Sequence, residues 1–77
     1  MEKLILWEFL YCSCIHESSF MTVSLHRTEE GANRAMEIHK AFEEKEFNDL
    51  YKDSGIEPAA PFGHFEAWKI QQIEVQD

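Results

Sequence analysis

The chain is expected to form an α+β domain of ββαβ order: a three-stranded antiparallel sheet, strand order 2-1-3, with one long helix packed on one face. Three observations predict this. Residues 3–14 are so densely aliphatic and aromatic that both sets of alternating positions are apolar, as in a strand buried on two faces. Residues 28–53 repeat their apolar side chains near a 3.6-residue period, with a capping residue at the start and a glycine just past the end. Two further alternating stretches, 20–26 and 64–75, stand on either side of that helix.

In the first strand Leu4, Leu6, Leu10 and Cys12 form one alternation set, with Ile5, Trp7, Phe9 and Tyr11 in the other. Glu8 falls among the leucines, so that face is expected to be wet at its middle or to bring a cation to the carboxylate. Ile15 to Ser19 is short and polar and serves as a hairpin connection. The second strand, Phe20 to His26, alternates Met21, Val23 and Leu25 against Thr22, Ser24 and His26, the pattern of a strand half exposed.

Thr28 caps the helix by offering its hydroxyl to an orphan backbone N–H, and Glu29 and Glu30 complement the positive end of the helix dipole. The stripe is Ala32, Ala35, Met36, Phe42, Phe47 and Leu50, with His39 at its middle. Glu43 and Glu46 interrupt it. A helix of this length is about 39 Å long, longer than strands of about 23 to 36 Å. The second half is therefore expected to bend or to overhang the sheet. Ser54 and Gly55 end the helix, Gly supplying the left-handed residue. Pro58 and Pro61 stiffen the following loop. In the last strand Trp68 and Ile70 share one face and Ile73 and Val75 the other, which predicts a bulge near Gln71 and Gln72.

A chain of 77 residues makes one domain, 1–77, with a thin margin of core over conformational entropy. Its net charge of −8, with seven Lys and Arg in all, opposes nucleic-acid binding and adsorption to an anionic membrane. The same charge suits a basic protein surface. No stretch reaches the roughly 20 apolar residues of a membrane span, and Glu8 breaks the only run that resembles the opening of a secretory signal. The expected location is cytoplasmic, with Cys12 and Cys14 reduced.

One helix covers one face of a sheet. The other face of a doubly apolar strand then remains open, the mark of an interface, and the expected surface residues of the first strand are Trp7, Phe9 and Tyr11. The departing end of the helix supplies Glu43, Glu46, Phe47, Asp49, Leu50 and Tyr51. These carboxylates suggest two readings: a solvated face whose charge is diluted by Lys45 and Lys52, or a mimic of DNA phosphates. Cys12, Cys14 and His16 alternate and on a strand would point one way, so a zinc or small-ligand site completed by His26, His39 or His64 is the alternative. A structural zinc site needs four ligands, and the spacing of a second cysteine pair is missing. No nucleophile, phosphate loop or paired-carboxylate motif suggests an enzyme, and no cofactor is expected. The sequence thus points to a non-enzymatic protein-binding module that forms a homodimer and engages a protein target.

The segment Val23-Ser24-Leu25-His26-Arg27-Thr28-Glu29-Glu30-Gly31-Ala32, followed by Ala35 and Met36 and later by Glu66-Ala67-Trp68-Lys69-Ile70, resembles short uncharacterised proteins of phages and bacteria. The resemblance covers about two thirds of the chain and implies a strand-strand-helix-strand domain, phage-encoded, acting as an inhibitor of a host protein such as a defence nuclease. It carries no catalytic residues to transfer. Phe42 to Lys52 and Cys12-Ser13-Cys14 lie outside the shared pattern, so specific activity is expected there.

Overall fold

The computed structural model describes residues 3–75. Strands β1 (Leu4–Cys12) and β2 (Met21–His26) form a hairpin, helix α1 (Glu29–Ser54) crosses one face, and β3 (Ala67–Val75) returns along the other side of β1. The sheet order is β2-β1-β3, with both pairings antiparallel. This is the architecture the sequence predicts.

The helix begins and ends where its side chains dictate. Thr28 is extended, and its hydroxyl accepts from the Gly31 N–H at 3.0 Å, satisfying one orphan donor of the first turn. Gly55 closes the last turn at φ 70°, a conformation that a Cβ would strain. Between these caps the helix is continuous; the acidic interruption at Glu43 and Glu46 does not break it.

Register fixes which side chains share a face. Tyr11 lies opposite Trp68, Phe9 opposite Ile70 and Trp7 opposite Gln72. The helix covers this side: His39 packs against Phe9 and Tyr11 with ring centroids 5.4 and 4.5 Å apart. Phe9, Cys12 and Ala32 are fully buried, and Leu10 completes the buried apolar set among the described residues. Full burial of Phe9 contributes about 2 to 3 kcal/mol. Ala32 is the helix residue that is fully buried.

Two local expectations are corrected. Pairing of β1 with β3 runs unbroken from Leu4↔Val75 to Cys12↔Ala67, so the bulge expected at Gln71 and Gln72 is absent. The apolar positions of β3 change parity because the helix overlies only the Trp68 and Ile70 end of one face, while Ile73 and Val75 serve the opposite face. The irregularity lies instead between β1 and β2, where Phe9 faces Ser24 but Leu10 faces Thr22, leaving Val23 as the extra residue. That bulge returns Met21 to the helix side and sends Thr22 to the open side, so the simple alternation expected for β2 does not hold.

The molecule is long and thin, 58 × 23 × 13 Å, with a radius of gyration of 15.6 Å, against about 11.5 Å for a compact chain of this length. It exposes 6000 Å², whereas a compact monomer of its mass exposes about 4,900 Å². No helix among the described residues is long and apolar enough to cross a membrane.

Candidate functional site

Three surfaces emerge from this arrangement. The first is the sheet face away from the helix. Leu4, Leu6, Glu8 and Leu25 lie on it by register, together with Ile73 and Val75 of β3. Leu4 and Leu25 are each about half exposed, at 52% and 51%, and Val75 at 40%. At its other end the loop after β1 folds over the face: the buried Cys12 thiol donates to the Ser18 carbonyl at 3.3 Å, and the Lys69 ammonium lies over the Phe20 ring. The open half is therefore the Leu4, Leu25 and Val75 end.

Glu8 stands in the middle of that apolar surface, and its carboxylate bridges all three strands. It accepts from the Thr22 hydroxyl on β2 and from the Gln71 amide on β3, the latter at 2.6 Å. Because both donors favour the ionised form, Thr22 first and Gln71 second, the carboxyl is held below its ordinary range. The polar rung is thus satisfied within one chain, and the Lys69 charge, the cation the sequence left open as its partner, adds a smaller favourable contribution.

Trp7, Phe9 and Tyr11, expected on the open face, are on the covered one. Phe9 is fully buried, and Trp7 and Tyr11 are half-buried on the helix side. Both alternation sets of β1 are apolar, so periodicity alone had no means of choosing between them; Glu8 marks the side that stays wet.

The second surface is a chain of rings joining the sheet to the far half of the helix. Trp68 donates its indole N–H to His39 Nδ1 at 3.0 Å, so the neutral imidazole carries its proton on Nε2, 3.9 Å from the Glu43 carboxylate. Trp68 also meets Tyr11 and Phe62, and Phe62 meets Phe47, which stacks on Tyr51. Lys40 places its ammonium 5.0 Å from the Trp68 ring. Phe47 and Tyr51 are therefore half-buried against the proline loop rather than presented to another chain, as the overhang had suggested. Leu50 does remain exposed, at 64%. Phe62 is the residue that sequence reasoning passed over; its only signal is a large aromatic beside Pro61 in an otherwise small-residue loop.

Tyr11 donates its hydroxyl to the Glu66 carboxylate. Burial first, and then that bond and the charges of Glu66 and Glu43, push the phenol well above its ordinary value, so it stays protonated. Beside this pair an open groove of about 580 Å³ lies between the helix and Glu66, the residue before β3; it is lined by Phe47 and Leu50 and by Glu43, Glu46, Asp49, Asp53 and Glu66. Neither Lys45 nor Lys52 lines it: Lys45 lies in an adjoining depression with Ala41, Glu44 and Asn48, and Asp49 lines both. The helical turn thus sets Lys45 to one side of the acidic run.

The third surface was not anticipated. Val23, Ile38 and Phe42 line an open and almost wholly apolar groove of about 470 Å³ between β2 and the helix, above Phe9 and Ala35. Phe42, assigned to the buried stripe, is 58% exposed there. The row that meets the sheet is Ala32, Ala35, Met36, His39 and then Glu43 and Phe47, so the stripe runs through the acidic position rather than around it.

Cys12, Cys14 and His16 do not converge. The strand ends at Cys12; Cys14 enters a turn closed by Ser18, and His16 packs its edge on Phe65. Both thiols are free. Among the described residues no three His, Cys, Asp or Glu side chains are grouped to hold a metal ion. His26 is turned to Ser24, 2.7 Å away. Comparison of this chain with family models, curated proteins and solved structures finds no match.

Proposed function

We propose that the chain is a non-enzymatic protein-binding module that associates with a second copy of itself through the open sheet face and engages a protein target through the acidic, aromatic half of its helix. The carrying observation is the area. The chain exposes 6000 Å², roughly 1,100 Å² more than a compact monomer of its mass. That excess is comparable to the roughly 800 Å² that each partner buries in a standard interface. Its apolar part includes Leu4, Leu25 and Val75, on the half of the face that the loop after β1 leaves open among the described residues.

A basic target agrees with a net charge of −8 and with carboxylates gathered on one groove. The resemblance to short phage proteins supports a host protein as that target. Light scattering over a concentration series up to about 100 µM tests the self-association. A mass rising to twice that of the chain supports it; a strict monomer throughout, with an unfolding midpoint independent of concentration, contradicts it.

A further inference from the structure

We infer that the outer edge of β2 takes up an extended segment of the protein target as a fourth strand, the segment's apolar side chains entering the groove between β2 and the helix. This goes beyond the protein-binding reading, which assigns the target to the far half of the helix and a second copy to the open face, and it adds a separate contact. Two independent features meet at this edge. The first is backbone. β2 pairs with β1 alone, and among the described residues no backbone group of Met21–His26 bonds outside that ladder. About half of its N–H and C=O groups therefore face outward, a template for another strand. The two edges of the sheet are unequal. β3 carries Lys69 and Glu74, charges that discourage pairing, whereas β2 has no Lys, Arg, Asp or Glu along its length.

The second feature is a missing side chain. On the helix side of the sheet one rung reads Ile70, Phe9, Ser24, so apolar bulk falls away toward β2. The space beside Ser24 is the open groove of about 470 Å³, lined also by Val23 and by the exposed Ile38 and Phe42. A strand added beside β2 stands about 4.8 Å from it and continues that rung with its own side chain. An aliphatic residue there completes the row and covers Ile38 and Phe42. A charged one would be desolvated without a partner, since no Lys, Arg, Asp or Glu lines the groove. Lysine or arginine belongs beyond the segment's ends, where the net charge of −8 favours it. A small apolar ligand would fill the groove but leave the edge backbone unpaired; an extended peptide satisfies both.

The test titrates the full chain with a capped peptide of about seven residues, isoleucine and threonine alternating between terminal lysines, followed by amide shifts and amide exchange in NMR. Saturable shifts at Met21–His26, Ile38 and Phe42 are expected, with slowed exchange on β2. Backbone N-methylation keeps the peptide's side chains and removes its donors, and should weaken binding by about tenfold or more. Serine in place of isoleucine should do the same, and terminal glutamates in place of the lysines should weaken binding several-fold at low salt. Ile38→Glu and Val23→Lys, at exposed positions and with the fold checked by circular dichroism, should each lower affinity by about tenfold. Leu50→Glu, exposed elsewhere on the helix, should leave it within about twofold. Undiminished binding of the N-methylated peptide, equal losses from Leu50→Glu and Ile38→Glu, or no shift at all would overturn strand addition. The same shifts arising without peptide as protein concentration rises would overturn it too, by giving the edge to a second copy. Self-association through the open face is read separately from the scattering mass, so either contact can fail while the other stands.

Discussion

Replacing His39 by Phe isolates the bond that ties the helix to β3. The ring is kept for its contacts with Phe9 and Tyr11, at 5.4 and 4.5 Å, but the acceptor for the Trp68 indole N–H is removed. The site is half-buried, so the orphaned donor recovers part of its hydration, and the loss is about 1 to 2 kcal/mol rather than the full cost of a buried, unpaired group. A chain of this size has a total stability of roughly 4 to 12 kcal/mol, and the midpoint of thermal unfolding should fall by about 5 to 15 °C. Other effects of the substitution are removed by a double-mutant cycle with Trp68→Phe, using urea unfolding followed by far-ultraviolet circular dichroism. A coupling energy near 1 kcal/mol is expected. Additivity within about 0.3 kcal/mol would refute the assignment of that bond as a structural tie.

Two further outcomes follow from single residues. Glu8 is held below its ordinary value by Thr22 and Gln71, so the folded chain binds that proton less tightly than the unfolded one; its contribution is complete above the unfolded value of about 4.5 and is lost as the pH falls through the folded one. Urea midpoints measured at about pH 6 and about pH 3 should therefore fall further for the native sequence than for Glu8→Gln; parallel declines would show that the rung is not felt. Gly55→Ala meets no atom within 4 Å, so its cost is the strain of φ 70° alone. It should be about 1 kcal/mol, read as a shifted urea midpoint with unchanged slope; a stabilised variant would contradict the left-handed cap.

How far the fold could be read from the chain depends on how local the cause is. Thr28 and Gly55 act through their own backbone neighbours, and the structure places both caps as expected. The double-sided β1 requires a central position, which with the hairpin sets the order β2-β1-β3. The side of the sheet that the helix covers is a different matter. It depends on packing between Phe9, His39 and Trp68, residues far apart in sequence, and the periodicity of β1 is the same on both sides. The open face was legible as a consequence of counting one helix against two faces, but its membership was inverted: Leu4, Leu25 and Val75 stand where Trp7, Phe9 and Tyr11 were expected.

The helical half of the site shows the same division. Glu43 was recognised as out of place on the stripe, and it is the residue whose carboxylate lies by His39 and also walls the acidic groove. The role of Phe62 in capping Phe47 was not legible, because a loop aromatic has no period to announce it. Nor was the apolar groove of Val23, Ile38 and Phe42, since it depends on the bulge that turns Val23 toward the helix.

A second copy over the open sheet face would shield it from solvent, which side-chain footprinting with a photo-generated carbene at low and high protein concentration reads residue by residue, with mass spectrometry resolving the labelled positions. Leu4, Leu25, Ile73 and Val75 should lose labelling as concentration rises, while Ile38, Phe42 and Leu50 should not. Labelling of Leu4 and Leu25 that stays constant while the mass doubles, with protection at Ile38 and Phe42 instead, would contradict it and move the interface to the groove between β2 and the helix.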